Sequence, residues 1–156
     1  INSLLELDES RCVELNASEL ILEKGAGKRV AIVGHFPFIP EIRGHCKELR
    51  VIEKNPQEGD LVEADAQSVI PRADVVAITG TSITNHTLDG LLGLCARGSY
   101  IIMLGDSVPL SAVLFDHGID AVCGTRVSDP ELALKCVSQG ANFRQIRGVK
   151  KMTMRK

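Results

Sequence analysis

The clearest strand pattern of this chain lies in Asp74-Val75-Val76-Ala77-Ile78-Thr79-Gly80-Thr81. Its first part, from Val75 to Ile78, is apolar throughout, which is the pattern of a strand covered on both faces. Gly80 and the polar residues after it are typical of a loop. Apolar residues then recur at helical spacing, at Leu88, Leu91, Leu92 and Cys95. A strand, a polar loop and a helix therefore follow one another, as in a parallel α/β sheet.

The same order recurs on either side of this stretch. Apolar runs predict further strands at residues 30–33, 49–52, 100–104 and 121–123, with helices between them. We therefore predict an α/β, Rossmann-like fold with a mostly parallel sheet and helices on both faces. The length of 156 residues and the apolar content of 44% suit one domain, which we place over residues 1–156.

The remaining segments give weaker predictions. Residues 1–7 have the pattern of the middle of a helix, and Asn16 with Glu19 has the pattern of a capping box before a helix that Gly25 ends. Residues 143–146 and 151–154 predict edge strands or a hairpin. Because the first residue is Ile and a helical pattern is already under way, we expect the C-terminal part of a longer protein.

Composition excludes several kinds of partner and leaves the quaternary state open. The 20 acidic and 18 basic residues create no field that would attract nucleic acid or membrane, and there is no apolar run long enough to span a bilayer. The five cysteines are odd in number and widely spaced, which predicts unpaired thiols and a cytoplasmic protein. We expect Cys95, Cys123 and Cys136 to be buried. A homodimer is compatible with the sequence.

Three loops of unusual composition follow predicted strands, at residues 34–38, 79–86 and 105–109. Ligands bind at the carboxyl ends of the strands in such sheets, so these loops are the candidate site. The hydroxyl groups and backbone N–H groups of the second loop favour a phosphate or carboxylate, although helix capping would use the same groups. These loops supply the ligand-binding candidates Gly34, Thr79, Gly80, Thr81, Asn85 and Ser107.

Two histidines and two carboxylates are further candidates for binding a metal or a ribose at this site. His35 and His86, with the carboxylate of Asp60, have the side chains to hold a divalent transition metal, unless each imidazole only bonds to its own loop. Glu53 ends the second predicted strand, where an acidic residue binds a ribose in dinucleotide-binding folds. A solvated strand end is the simpler explanation for Glu53. The sequence lacks G-x-G-x-x-G and the P-loop lysine, which disfavours the usual modes of dinucleotide and nucleoside triphosphate binding.

Several separated motifs resemble those of the putative heavy-metal chelation family. They are Val33-Gly34-His35-Phe36-Pro37, Asn55-Pro56, Gly59-Asp60, Thr79-Gly80-Thr81 with Asn85 and Thr87, and Ser107-Val108-Pro109-Leu110. The resemblance implies a prokaryotic Rossmann-like domain that follows a smaller domain similar to the N-terminal part of enolase. It also implies metal handling, without an established reaction. Asp106 stands where this family commonly has Pro, so we do not expect Asp106 to be a shared ligand.

The leading hypothesis is a domain that binds a metal or small ligand, such as a metallated cofactor, while enzymatic activity stays undecided. One alternative is an enzyme that binds a nucleotide or S-adenosylmethionine, and another is a scaffold domain whose site needs a missing N-terminal domain. The predicted ligand-binding residues are Gly34, His35, Glu53, Asn55, Asp60, Thr79, Gly80, Thr81, Asn85 and Ser107. The predicted metal ligands are His35, His86 and Asp60.

Overall fold

The strands of the computed structural model, which describes residues 2–156, form one sheet. In chain order they are β1 Cys12–Val13, β2 Arg29–Val33, β3 Glu48–Glu53, β4 Leu61–Val62, β5 Val75–Thr79, β6 Tyr100–Leu104, β7 Ala121–Val127 and β8 Val149–Arg155. Across the sheet the order is β1-β8-β7-β6-β5-β2-β3-β4. The five predicted strands correspond to β2, β3, β5, β6 and β7, and they run parallel. The predicted α/β class is confirmed.

Short helices connect the strands. They are α1 Ala17–Gly25, α2 Ile39–Arg43, α3 Ala66–Val69, α4 Thr81–Thr84, α5 Leu88–Leu94, α6 Val113–Asp116 and α7 Pro130–Ser138. Single 3-10 turns lie at Asn2–Leu4, Glu9–Arg11, Glu63–Asp65, Ile70–Arg72 and Phe143–Gln145. Within residues 2–156, none of the helices has the length and apolar character needed to cross a membrane.

The core consists of two apolar layers, one on each face of the sheet. Along β5, Val75 and Ala77 face the layer that contains α1 and α2, whereas Val76 and Ile78 face the layer that contains α3 and α5. Each of these four side chains is fully buried. Burial of alternate residues on opposite faces explains why the run from Val75 to Ile78 has no polar member. Helices cover both faces, as predicted.

The order of the strands reverses between β2 and β5. From β2 the chain runs outward to β3 and β4, and it then returns to β5, on the other side of β2, before it continues to β6 and β7. The ends of β2 and β5 are in register, with Val33 opposite Ile78. The segments that follow these strands therefore start side by side at the carboxyl edge, where sheets of this kind bind ligands.

Two predictions at the ends of the chain are wrong. Residues 5–8 are not helical, and the only helical structure between residues 2 and 7 is the 3-10 turn Asn2–Leu4; Ile1 lies outside the described residues. Residues 143–145 form a 3-10 turn instead of a strand, because Asn142 and Gln145 exchange side-chain and backbone hydrogen bonds in a capping box. The predicted last strand is present, but β8 lies antiparallel between β7 and β1.

The predicted capping box at the start of α1 is also absent. The helix begins at Ala17 and ends at Gly25 as expected, yet the Asn16 side chain makes no capping hydrogen bond. The carbonyl oxygen of Asn16 still accepts the first helical hydrogen bond, from the N–H of Leu20. The start of α1 is therefore stabilised by a backbone hydrogen bond and not by a side-chain cap.

The cysteines are unpaired throughout residues 2–156. Cys123 is buried as predicted, whereas Cys95 and Cys136 are only half-buried. Burial raises the pKa of both Cys95 and Cys123 to about 11, so these thiols are protonated at neutral pH. Protonated thiols are poor nucleophiles.

Candidate functional site at the switch point

A cavity of about 180 Å³ lies where the segments after β2 and β5 meet, and we call it the switch-point cavity. Predicted ligand-binding residues form much of its wall, namely Gly34, His35, Glu53, Thr79, Thr81 and Asn85. His35, Thr81 and Asn85 thus face one space, although they come from two separate segments. Ligand binding by these residues stays a prediction.

His35 is held by a buried carboxylate. Its Nδ1 atom lies 2.8 Å from Oδ2 of Asp60, whose side chain is only 2% exposed. The same oxygen accepts a hydrogen bond from the backbone N–H of Gln57 at 3.0 Å. Because an ionised carboxylate only accepts hydrogen bonds, Nδ1 of His35 is the donor in this contact, and the tautomer with its proton on Nδ1 has a lone pair on Nε2. Asp60 was predicted as a direct ligand, and here it orients the histidine.

Glu53 ties the end of β3 to the loop after β2. Its Oε2 atom accepts a hydrogen bond from the N–H of His35 at 2.8 Å. Its Oε1 atom accepts hydrogen bonds from the N–H groups of Lys54 at 2.8 Å and Asn55 at 3.3 Å. The carboxylate satisfies N–H groups that these turns leave without a partner. Asn55 is exposed and contributes its backbone to this arrangement.

The segment from Thr79 to Thr87 uses most of its hydroxyl groups locally. Thr79 and Thr81 share a hydrogen bond of 3.1 Å between their hydroxyls, and Ser82 donates to the carbonyl of Thr79 at 2.7 Å. The Oδ1 atom of Asn85 accepts from the N–H and the hydroxyl of Thr87. These groups thus form local turn contacts, whereas neither α4 nor α5 has a side-chain capping hydrogen bond at its start, so the predicted helix capping is absent. The N–H donors of the Asn85 amide are not used in this turn, and the residue lines the cavity.

Gly80, the glycine that follows β5, was predicted as a ligand-binding residue, but the space beside it is not open to a ligand. A Cβ atom on Gly80 would lie 2.5 Å from Cγ2 of Val108 and 2.9 Å from the backbone N of Val108. The loop after β6 fills this space, and Ser107 belongs to that loop instead of to the switch-point cavity. Position 34 favours glycine for a different reason. The φ of Gly34 is 108°, in the left-handed region that other residues rarely adopt.

The structure does not assemble the predicted metal triad of His35, Asp60 and His86. Across residues 2–156, no three His, Cys, Asp or Glu side chains are grouped so that they would hold a metal ion. His86 is exposed, and it follows the single turn of α4 with a φ of 61°. Nothing in the sequence signals this left-handed residue. His86 does not line the switch-point cavity. The residues present fit one metal-ligand position, at Nε2 of His35.

Sequence reasoning missed some residues of the cavity wall. Lys54, Glu63 and Thr87 also line it, together with the apolar side chains of Ile52 and Leu91. Thr87 belongs to the quoted family motif and could have been included on that ground. Glu63 lies in a 3-10 turn directly after β4, a two-residue strand that its composition does not predict.

Comparison with known proteins finds one family and several relatives that match most of this chain. The family described as "Putative heavy-metal chelation" (DUF364) matches residues 16–156. An uncharacterized protein of Methanocaldococcus jannaschii is 29% identical over 146 residues, which cover 89% of this chain and 56% of that protein.

Two solved structures share the architecture. A DUF364 protein of unknown function from Desulfitobacterium hafniense matches with a TM-score of 0.83 and 30% identity, over 95% of this chain and 61% of that one. Another from Pyrococcus horikoshii has a TM-score of 0.83 at 20% identity, over 96% and 62%, a likeness that concerns the fold alone. The chain thus spans less than two thirds of each of these relatives.

Proposed function

The chain belongs to the putative heavy-metal chelation family, and on that basis we propose that it binds a small ligand at the switch-point cavity and coordinates a metal carried by that ligand through Nε2 of His35. The metal is then the cargo of the domain, and the ligand supplies the other donors. A divalent transition metal suits an imidazole donor. The proposal concerns binding and assigns no reaction.

The pairing of His35 with Asp60 carries this proposal. A histidine that binds a metal usually donates its other ring N–H to a carboxylate or carbonyl, which fixes the ring and makes the ligating nitrogen more basic. Asp60 supplies such an acceptor at 2.8 Å from Nδ1, and its burial keeps water from competing for the bond.

The size and lining of the cavity indicate how a ligand would be held. Its volume of about 180 Å³ suits one end of a small molecule, with the rest of the molecule outside. Thr81 offers a hydroxyl and Asn85 offers amide N–H donors at the same wall. These groups would bind oxygen atoms of the chelating ligand while His35 completes the coordination of the metal.

The proposal can be tested by isothermal titration calorimetry with zinc nitrilotriacetate, a complex that leaves coordination positions open, and with zinc alone. His35→Asn is the informative variant, because its amide keeps a donor near the position of Nδ1 for Asp60 and removes Nε2. We expect this variant to bind the complex at least about tenfold more weakly than the unmodified chain.

His86→Asn is the matched control, since Asn tolerates the left-handed backbone at this position. It should bind zinc nitrilotriacetate as the unmodified chain does. Equal losses in the two variants, or no loss in His35→Asn, would refute the role of His35. Tighter binding of zinc alone than of the complex would refute a metal that arrives with its ligand.

A nucleotide or S-adenosylmethionine is the second candidate ligand, and the position of Glu53 favours it. Glu53 lies at the end of β3 and lines the cavity beside Gly34, as a ribose-binding carboxylate does in related folds. Its oxygens already accept three backbone hydrogen bonds, which weakens this candidate. A rise in melting temperature with S-adenosylmethionine that Glu53→Gln abolishes would favour it over the metal-carrying ligand.

We further propose that the domain works in the cytoplasm on a small molecule or metal ion, without nucleic acid or membrane partners, and that it can form a homodimer. Support comes from the near balance of 20 acidic and 18 basic residues. Size-exclusion chromatography with light scattering tests the oligomeric state.

A further inference from the structure

A second and larger cavity, of about 650 Å³, opens at the same carboxyl edge on the opposite face of the sheet. Leu104 and Cys123 from the ends of β6 and β7 contribute to its wall. Phe36, Phe38 and Phe143 provide an aromatic wall, and we call this space the aromatic cavity. His35 does not line it, and Phe36 is the residue that contributes to the walls of both cavities.

The aromatic cavity holds an unusual share of the aromatic side chains. The chain has only four Phe, one Tyr and no Trp, and three of the four Phe line this one space. These three are half-buried, whereas Phe115 is packed in the core. The rings of Phe36 and Phe38 stack, with centroids 5.2 Å apart and planes within 10°. Partly exposed aromatic rings around a cavity are typical of sites that bind planar apolar groups.

A polar network lies at the Phe143 end of the aromatic cavity. Nζ of Lys151 lies 4.1 Å above the Phe143 ring and donates hydrogen bonds to Asp106 and Thr125. Thr125 in turn donates to the same oxygen of Asp106 at 2.8 Å. Three segments, namely the loop after β6, β7 and β8, thus hold the ammonium group in place. One of its three N–H donors is left for a ligand.

The free donors at this end favour an anion. Lys151 and Arg144 contribute two positive charges to the lining, and the carboxylates of Asp106 and Glu41 contribute two negative charges, so the lining carries no net charge. An anion would instead be held by the N–H donors that are left without a partner in the described part of the chain. Among residues 2–156, Arg144 forms no ion pair, and its guanidinium can donate two parallel hydrogen bonds to a carboxylate. Glu41, the other carboxylate in the lining, is on α2, one turn beyond Phe38.

From these contacts we propose that the aromatic cavity binds a planar aromatic monocarboxylate. The ring would lie against Phe36, Phe38 and Phe143, and the carboxylate would accept hydrogen bonds from Lys151 and Arg144. A single carboxylate can accept hydrogen bonds from the remaining N–H donor of Lys151 and from Arg144, whereas a dianion would bring a second negative charge close to Asp106. This inference does not depend on metal binding at His35.

2-Naphthoate is a suitable probe, because the chain has no Trp and the probe fluorescence can be read without interference. We expect saturable binding, with an affinity about tenfold higher than for the uncharged 2-naphthamide. In Lys151→Met the two probes should bind with similar affinity. Arg144→Gln, made as a separate variant, should reduce the preference for 2-naphthoate over 2-naphthamide. Circular dichroism of each variant verifies that it is folded.

Lys150→Met is the matched control, since Lys150 is the preceding residue of β8 and pairs with Glu14 outside the cavity. This variant should keep the preference for the carboxylate, and so should His35→Asn. Equal binding of the two probes by the unmodified chain, or a preference that survives in both Lys151→Met and Arg144→Gln, would overturn the proposal. Loss of naphthoate binding in His35→Asn would show that the two cavities are not independent.

Discussion

At the scale of single residues, the hydrogen bond between His35 and the buried carboxylate of Asp60 determines which ring nitrogen faces Asp60. His35 and Asp60 were both predicted as ligands, yet the carboxylate of Asp60 is buried and bonded to the imidazole. The sequence could not distinguish a ligand from its orienting partner, because both roles require the same residue types. The left-handed conformation of His86 had no sequence signal either, since no glycine stands there.

Asp60→Asn tests the orienting role. The variant keeps the shape of the side chain but removes the negative charge that stabilises Nδ1–H of His35. We expect zinc nitrilotriacetate to bind about tenfold to a hundredfold more weakly, as for other partners of metal-bound histidines. Calorimetry measures the loss, and an affinity equal to that of the unmodified chain would contradict the role of Asp60.

Gly80→Ala tests the close packing at the end of β5. The added methyl group would meet Val108, including its backbone N at 2.9 Å, so the loop after β6 would have to move. We expect a loss of about 1–3 kcal/mol in the free energy of unfolding, measured in urea. Gly90→Ala is the control, because no atom lies within 4 Å of its added Cβ and Gly90 is in α5. That change should raise stability by about 0.5–1 kcal/mol.

At the scale of elements, the buried strands were predictable and the short ones were not. The apolar runs of β2, β5 and β6 reflect burial on both faces, and short continuous runs bounded by turn residues are typical of such strands. The two-residue strands β1 and β4 exist only because a neighbouring strand pairs with them. Local composition therefore carries no signal for either strand.

One ion pair joins two elements at the amino edge of the sheet and should affect stability in acid. Arg29 at the start of β2 makes two side-chain hydrogen bonds to Asp74, just before β5. These bonds, with one from the backbone N–H of Arg29, lower the pKa of Asp74 from 3.8 to about 2. A carboxyl group whose pKa is lower in the folded state stabilises the protein above its unfolded pKa and loses this effect as pH falls.

We therefore expect the contribution of Asp74 to disappear between about pH 4 and pH 2. In urea unfolding across this range, the stability of the unmodified chain should fall more steeply than that of Asp74→Asn, which has no carboxylate to titrate. Because the pair is exposed, high salt should reduce the difference. Parallel pH dependences in the two proteins would contradict the assignment.

At the scale of the whole molecule, the reversal of strand order explains why separated motifs meet. The segments after β2 and β5 are far apart in sequence, but β2 and β5 are neighbours in the sheet. The predicted set of His35, Thr81 and Asn85 could be inferred because parallel strands place their carboxyl ends at one edge. The aromatic cavity could not be inferred, because Phe143 reaches it from a 3-10 turn near the end of the chain.

The same arrangement predicts where the fold is most resistant to local opening. The apolar residues of β5 are fully buried and lie between β2 and β6. Backbone amides of β5 should therefore exchange with deuterium most slowly, and those of residues 105–112 should exchange much faster. Mass spectrometry of peptides from labelled protein measures both, and slower exchange in residues 105–112 than in β5 would contradict this prediction.

The pairing of β1 with β8 also has a consequence for the order of folding. Thr153 in β8 donates a hydrogen bond to the carbonyl of Leu15, 138 positions earlier in the chain. Contacts across so long a loop have a high entropic cost of closure, and they slow the steps that depend on them. During synthesis the strands from β2 to β7 can pair as they emerge, but β8 emerges last. Until it arrives, β7 presents an open edge to other chains, which makes this side of the sheet the point of greatest exposure to misassembly.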